Sequence, residues 1–153
     1  MISRVGKALR IISDDEKDKI ALVIDTPSLM PDFKLTDLEL LKKHLGDLGT
    51  IRAGKLISDK QFTQNESDLI NSQGFREEIV GSDVDIHVSL NALEYLGNDS
   101  ISIIGIGTSN YDLFPVFSRI KQDKKLLIIS WKDDITSSME SIADYILYLD
   151  YLD

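Results

Sequence analysis

Apolar positions along the chain follow two rhythms. Short runs at Ile20–Ile24, Ile101–Ile106 and Leu126–Ser130 are apolar almost without interruption, the pattern of strands buried on both faces. Thr50–Ser58, Phe75–Val80 and Tyr145–Leu149 read as further strands. Between them the spacing lengthens to a helical period. A capping box at Thr36-Asp-Leu-Glu39 opens a helix to about Leu45, and Thr63–Ser72 forms another that ends at Gly74. Asp83–Leu96 stacks Val84, Val88, Ala92 and Leu96 along one side. A helix from about Asp112 to Gln122 turns Leu113, Val116, Phe117 and Ile120 inward, and a short one lies near Ser137–Ile142. Ahead of all these, Ser3–Ile12 reads as a short basic amphipathic helix, joined to the rest by the charged stretch Ser13–Lys19. The expected organisation is an N-terminal helix and connector over residues 1–19, then a single domain over residues 20–153.

Strict alternation of strands and helices predicts an α/β fold of three layers, α/β/α, on a mainly parallel central sheet. Crossovers in such a sheet are right-handed. Ligands sit outside the carboxyl ends of the strands, at the point where the strand order reverses. The places to search are therefore the segments after Ile24, Val80 and Ile106.

Composition narrows the choice of chemistry. With 26 acidic and 17 basic residues the formal charge is −9, which argues against holding nucleic acid mainly by a basic surface. The chain is 42% apolar and 28% charged, ordinary globular usage. It has no cysteine, which removes disulfides, thiolate metal sites and a cysteine nucleophile. Only His44 and His87 are available as imidazole ligands. No apolar run approaches the roughly 20 residues of a membrane span, and no secretory signal follows the basic start. The expectation is a cytoplasmic protein without a membrane partner.

Carboxylates lie where the search points. Asp25 closes the first apolar run, Asp83 and Asp85 flank the start of the helix after the third strand, and Asp112 starts the helix after the fourth. Acids gathered at one sheet edge repel, and hard divalent cations with oxygen preference relieve that repulsion. Each acid also has a plain structural role open to it. Asp112 and Asp83 suit helix caps, and Asp25 suits an Asx turn before Pro27. Gly105-Ile-Gly107 lacks the third glycine of a dinucleotide fingerprint and is expected to allow a tight strand-to-helix turn. His87 is expected to be a surface or packing histidine, and Trp131 to pack against a neighbouring loop.

Several segments, in order, resemble the NYN domain family, a branch of the PIN-like nucleases that includes the LabA-like proteins. The residues are Ala21-Leu-Val-Ile-Asp25-Thr-Pro-Ser28, Gly81-Ser-Asp-Val-Asp85 with Asn91-Ala-Leu-Glu94, Ile101–Ile106, Asn110-Tyr-Asp112 with Leu113-Phe-Pro115, and Ala143-Asp-Tyr-Ile146. The resemblance runs from about Ile20 to Leu149 and is strongest with small stand-alone prokaryotic members. It implies a PIN-like fold and an Mg²⁺- or Mn²⁺-dependent ribonuclease. Asp25, Asp85 and Asp112 match acids of the family and are the implied catalytic and metal-binding residues. Ser28, Thr108, Ser109 and Asn110 are the implied substrate-binding residues.

The sequence also departs from the family pattern. Asn110 and Asn91 stand where the family has acids, Thr26 where it has glycine, and Ser28 where it has asparagine. Asparagine keeps an oxygen ligand and loses a charge, which weakens metal binding. Two expectations follow: a metal-dependent ribonuclease, or an impaired relative that binds RNA or a protein. In the second case Lys55, Lys60 and Arg119 are the expected phosphate contacts. The expected RNA is single-stranded or structured, and the N-terminal helix offers a face for a second copy of the chain. A nucleotide-binding regulatory domain rests on fold analogy and ranks last.

Overall fold

The computed structural model describes residues 17–153; the helix read over Ser3–Ile12 lies outside the described residues. Six strands form one sheet: β1 (Lys19–Asp25), β2 (Thr50–Ser58), β3 (Arg76–Ile79), β4 (Ile103–Gly107), β5 (Lys125–Ser130) and β6 (Tyr145–Tyr148). Their order is β3-β2-β1-β4-β5-β6 and every pairing is parallel. The α/β/α expectation therefore holds, with the sheet parallel throughout.

β1 explains why the pattern is legible. Its side chains alternate across the sheet, so Ile20, Leu22 and Ile24 enter one core and Ala21 and Val23 the other. A strand buried on both faces leaves no polar position, which is why the run reads as continuous. On the first face α2 (Leu38–Leu45) contributes Leu38, Leu41 and Leu45, and α3 (Gln64–Ser72) contributes Ile70. On the second face α4 (Val84–Glu94) contributes Val88 and Ala92, α5 (Phe114–Asp123) contributes Phe117 and Ile120, and α6 (Ser137–Ile142) contributes Met139. A single four-residue turn of helix, α1 (Thr26–Leu29), follows β1 directly. Ligation of the three layers extends to the end of the chain, where Leu149 and Leu152 are buried and His44 Nε2 donates to the Leu152 carbonyl at 2.7 Å.

Three local expectations need correction. Thr36 does not cap α2; a 3₁₀ turn over Leu35–Asp37 precedes the helix, and Asp37 accepts from the Lys34 amide at 3.1 Å. Asp112 likewise does not cap its helix. Asn110 does so, accepting from the Asp112 amide at 2.9 Å at the head of a 3₁₀ turn over Tyr111–Leu113. Gly105 sits inside β4 and serves packing, not turning. A Cβ there would lie 2.9 Å from Leu127 Cδ2 and 3.1 Å from Leu22 Cδ1.

Candidate functional site

Between β1 and β4 the chain leaves the sheet in opposite directions along the strand order, through β2 and β3 on one side and β5 and β6 on the other. A crevice at the carboxyl ends of these two strands is the ligand position in doubly wound sheets. Asp25 closes β1 at that point, and Thr108 follows β4. Residues 83 positions apart thereby meet.

Their meeting is a hydrogen-bonded knot. Asp25 is only 4% exposed. It caps α1, Oδ1 accepting from the Ser28 amide at 3.4 Å, while Oδ2 accepts from the fully buried Thr108 hydroxyl at 3.3 Å. The Ser28 hydroxyl donates to the Asp25 carbonyl at 3.1 Å and accepts from the Ser109 amide at 3.0 Å. Thr108 Oγ1 in turn accepts from the Asn110 amide at 3.0 Å. Ser28 and Thr108 thus spend their hydroxyls on fixing the two loops and aiming the Asp25 carboxylate. The Asx-turn role and the functional role of Asp25 coexist in this geometry.

Burial pushes the Asp25 carboxyl above the ordinary aspartate range. The Ser28 amide and the Thr108 and Ser28 hydroxyls pull it down without cancelling that effect, and the Asp85 carboxylate pushes it further up. Asp85, in the first turn of α4, is therefore in electrostatic reach of Asp25. The preceding Asp83 holds the helix start in the left-handed region at φ 55°; its side chain makes no capping bond and accepts instead from Ser82 Oγ at 2.9 Å. Asp112 is exposed in the 3₁₀ turn between β4 and α5. Among the described residues no group of three or more His, Asp or Glu side chains is drawn together as a metal cage.

A cage is not what magnesium needs. Mg²⁺ keeps several waters and takes one or two protein carboxylates together with phosphate oxygens of a substrate. Asp25 and Asp85 are the two carboxylates that would supply such a sparse set. The raised Asp25 pKa has burial as its main cause, with the Asp85 charge adding to it. One further polar atom at this edge, Ser109 Oγ, is buried without a hydrogen-bond partner. The donor set fits a hard divalent ion.

The sequence did not reveal the fate of the neighbouring residues. Asn91, where the resemblance expects an acid, is locked into structure. Its side-chain oxygen accepts from Lys55 Nζ at 2.8 Å, and its amide donates to Glu78 Oε2 at 3.2 Å and to the His87 carbonyl at 2.8 Å. Lys55 also pairs with Glu78 at 3.2 Å, and Arg119 with Asp123 at 2.7 Å. Of the three expected phosphate contacts, Lys60 alone makes no ion pair among the described residues. Trp131 packs as expected, donating from Nε1 to the Leu29 carbonyl at 3.2 Å beside the site.

Fold and site together define a three-layer α/β/α protein with an acidic residue at its topological switch point. No family model matches the chain. It is 27% identical over 130 residues to an uncharacterized protein of Methanocaldococcus jannaschii, a match that takes in 84% of this chain and 54% of that protein. The chain thus spans about half the length of this curated relative. Its fold is shared with a protein of unknown function from Vibrio parahaemolyticus, at a TM-score of 0.75 and 16% identity, covering 93% of this chain and 98% of that one. No described helix is long and apolar enough to cross a membrane.

Proposed function

We propose that the protein is a metal-dependent ribonuclease of the NYN/PIN-like kind, hydrolysing RNA phosphodiesters at the crevice between β1 and β4. The observation that carries this reading is a buried, hydrogen-bond-oriented Asp25 at the switch point, its pKa raised and a second carboxylate in reach. A divalent ion at such a site supplies Lewis acidity and positive charge against the phosphate. The chain's own residues do the rest. Thr108 and Ser28 fix both the Asp25 rotamer and the separation of the two loops, so the carboxylate meets a ligand without reorganisation. Asp85 adds negative charge on the facing helix, and Asn110 lies between the crevice and Asp112. The nucleotide-binding regulatory alternative ranks last, because the turn after β1 is Asp-Thr-Pro-Ser and contains no glycine to bring a backbone close to a phosphate.

The test is cleavage of a labelled single-stranded RNA with Mn²⁺ or Mg²⁺. Cleavage by the wild type that disappears with EDTA and falls on the order of 100-fold or more in Asp25→Asn and Asp85→Asn supports the reading. Equal cleavage by wild type and Asp25→Asn overturns it.

A second reading has its own observation. Asn91 and Asn110 are both engaged in structural hydrogen bonds, so two positions that resemble family acids have been given other work. A protein that binds RNA in EDTA, and cleaves none with Mn²⁺, is a binding module built on the same crevice.

A further inference from the structure

On the β2 side of Asp25 lies a recess of about 390 Å³ that the hydrolytic reading leaves unused. It opens between α1 with its following segment, the carboxyl end of β2 and the first turn of α3. Pro27, Met30, Pro31 and Phe62 give it apolar walls, and Thr26 and Lys60 are among its polar lining residues. Three features make it a ligand site and not a surface irregularity.

Thr26 is 1% exposed and its hydroxyl has no hydrogen-bond partner. A buried hydroxyl of this kind lacks a partner that a ligand edge reaching Thr26 would supply. Phe62 is half-buried and packed against the core, so its ring is held as a fixed wall. Lys60 carries a positive charge at the rim and makes no ion pair among the described residues; two acids, Asp59 and Glu66, line the same recess, the Glu66 carboxylate accepting from the Thr63 amide at 2.8 Å. A flat ring with apolar faces, hydrogen-bonding edges and an attached anion matches all three.

We infer that this recess takes the base of a nucleotide next to the phosphodiester at Asp25, with the ring against Phe62, a polar edge at Thr26 and the phosphate towards Lys60. Single-stranded RNA is recognised in this manner, by stacking splayed bases on aromatic side chains and bonding their edges. Pro27, Met30 and Pro31 of the walls, together with Thr26 and Asp25, belong to one short segment, so a base held here places the adjoining phosphate near the carboxylate by chain continuity. The inference rests on the ribonucleolytic reading for its substrate class. Its own evidence is the recess.

The experiment is a titration of ¹⁵N-labelled protein with AMP, CMP, GMP and UMP in EDTA, following backbone amides. Saturable shifts centred on Lys60, Gln61 and Phe62, still present in Asp25→Asn and weakened at least 5-fold in Phe62→Ala and Thr26→Val, support the site. Phe62→Leu, which keeps the wall and removes the aromatic face, gives the same loss if Phe62→Ala fails to fold. In RNA cleavage, Phe62→Leu raises KM about 10-fold with kcat within twofold, the size of one stacked base. Shifts that map elsewhere, or binding that is the same in wild type and Phe62→Leu, overturn the inference. The two readings fail separately. Nucleotide shifts at the recess without any Asp25-dependent cleavage leave the recess standing and remove the nuclease. Asp25-dependent cleavage with no shift at the recess does the opposite.

Discussion

Asp25 carries opposing demands in a single side chain. Its folded-state pKa lies above the unfolded value, so the native state binds the proton more tightly than the unfolded chain. The associated stability is fully present below the unfolded pKa near 3.8 and is lost as pH rises through the folded pKa. Ionisation of the carboxylate as pH rises therefore works against the metal-free fold. Asn in its place removes the charge and keeps one acceptor, so it can accept from the Ser28 amide or the Thr108 hydroxyl but not from both. Asp25→Asn is expected to become more stable relative to wild type as pH rises and less so in acid, because only the wild type loses the stability linked to the Asp25 proton. Thermal melts of both proteins at several pH values check this.

The two asparagines at positions of family acids should respond differently to being made acidic. Asn91→Asp removes the donors to Glu78 and to the His87 carbonyl and sets two carboxylates side by side. It is expected to cost about 1–3 kcal/mol in urea unfolding and to add nothing to metal affinity. Asn110→Asp keeps the acceptor that caps the turn, since the two residues cap equally well, and adds charge within two hydrogen bonds of Asp25. Stability should change by less than about 0.5 kcal/mol, and Mn²⁺ should bind several-fold more tightly. Much of this was invisible in the sequence. It located Asp25 at a strand end and Asp85 at a helix start. The capture of Asn91 by Lys55 and Glu78 depends on β2, β3 and α4 meeting, which no spacing along the chain records.

At the scale of elements, the apolar runs and helical periods placed the six strands and the helices α2 to α6 to within about two residues and missed the single turn α1. The misplaced caps at Thr36 and Asp112 have one cause. Where a 3₁₀ turn leads into a helix, as at Leu35–Asp37 and Tyr111–Leu113, the capping residue moves upstream to Lys34 and Asn110. A pattern built on the α period cannot register that shift. Gly105 was misread for a related reason, since its use is set by residues on other elements. Gly54 in β2, on which the pattern carried no reading, is packed more tightly still. A Cβ there would lie 2.3 Å from Phe75 Cδ1 and 2.4 Å from Cε1, inside a buried ring that has little room to move. Gly54→Ala is expected to destabilise by about 1–3 kcal/mol, read from the shift in urea midpoint at constant m-value.

For the molecule as a whole, the parallel order β3-β2-β1-β4-β5-β6 does the assembling. It sets the ends of β1 and β4 side by side and brings the start of α4 within reach, and so gathers Asp25, Thr108 and Asp85 from distant parts of the chain. The fold class was legible because a sheet buried on both faces leaves its mark on every strand. The proposed activity rests in the sequence on a resemblance alone, because the same sheet order serves many chemistries. The central claim is that Asp25 grips a hard divalent cation in this crevice. Calorimetric titration of Mn²⁺ into wild type and Asp25→Asn at two pH values tests it most directly. The account predicts saturable binding by the wild type with release of protons, stronger at the higher pH, and its loss in Asp25→Asn. Equal Mn²⁺ binding by the two proteins would contradict it.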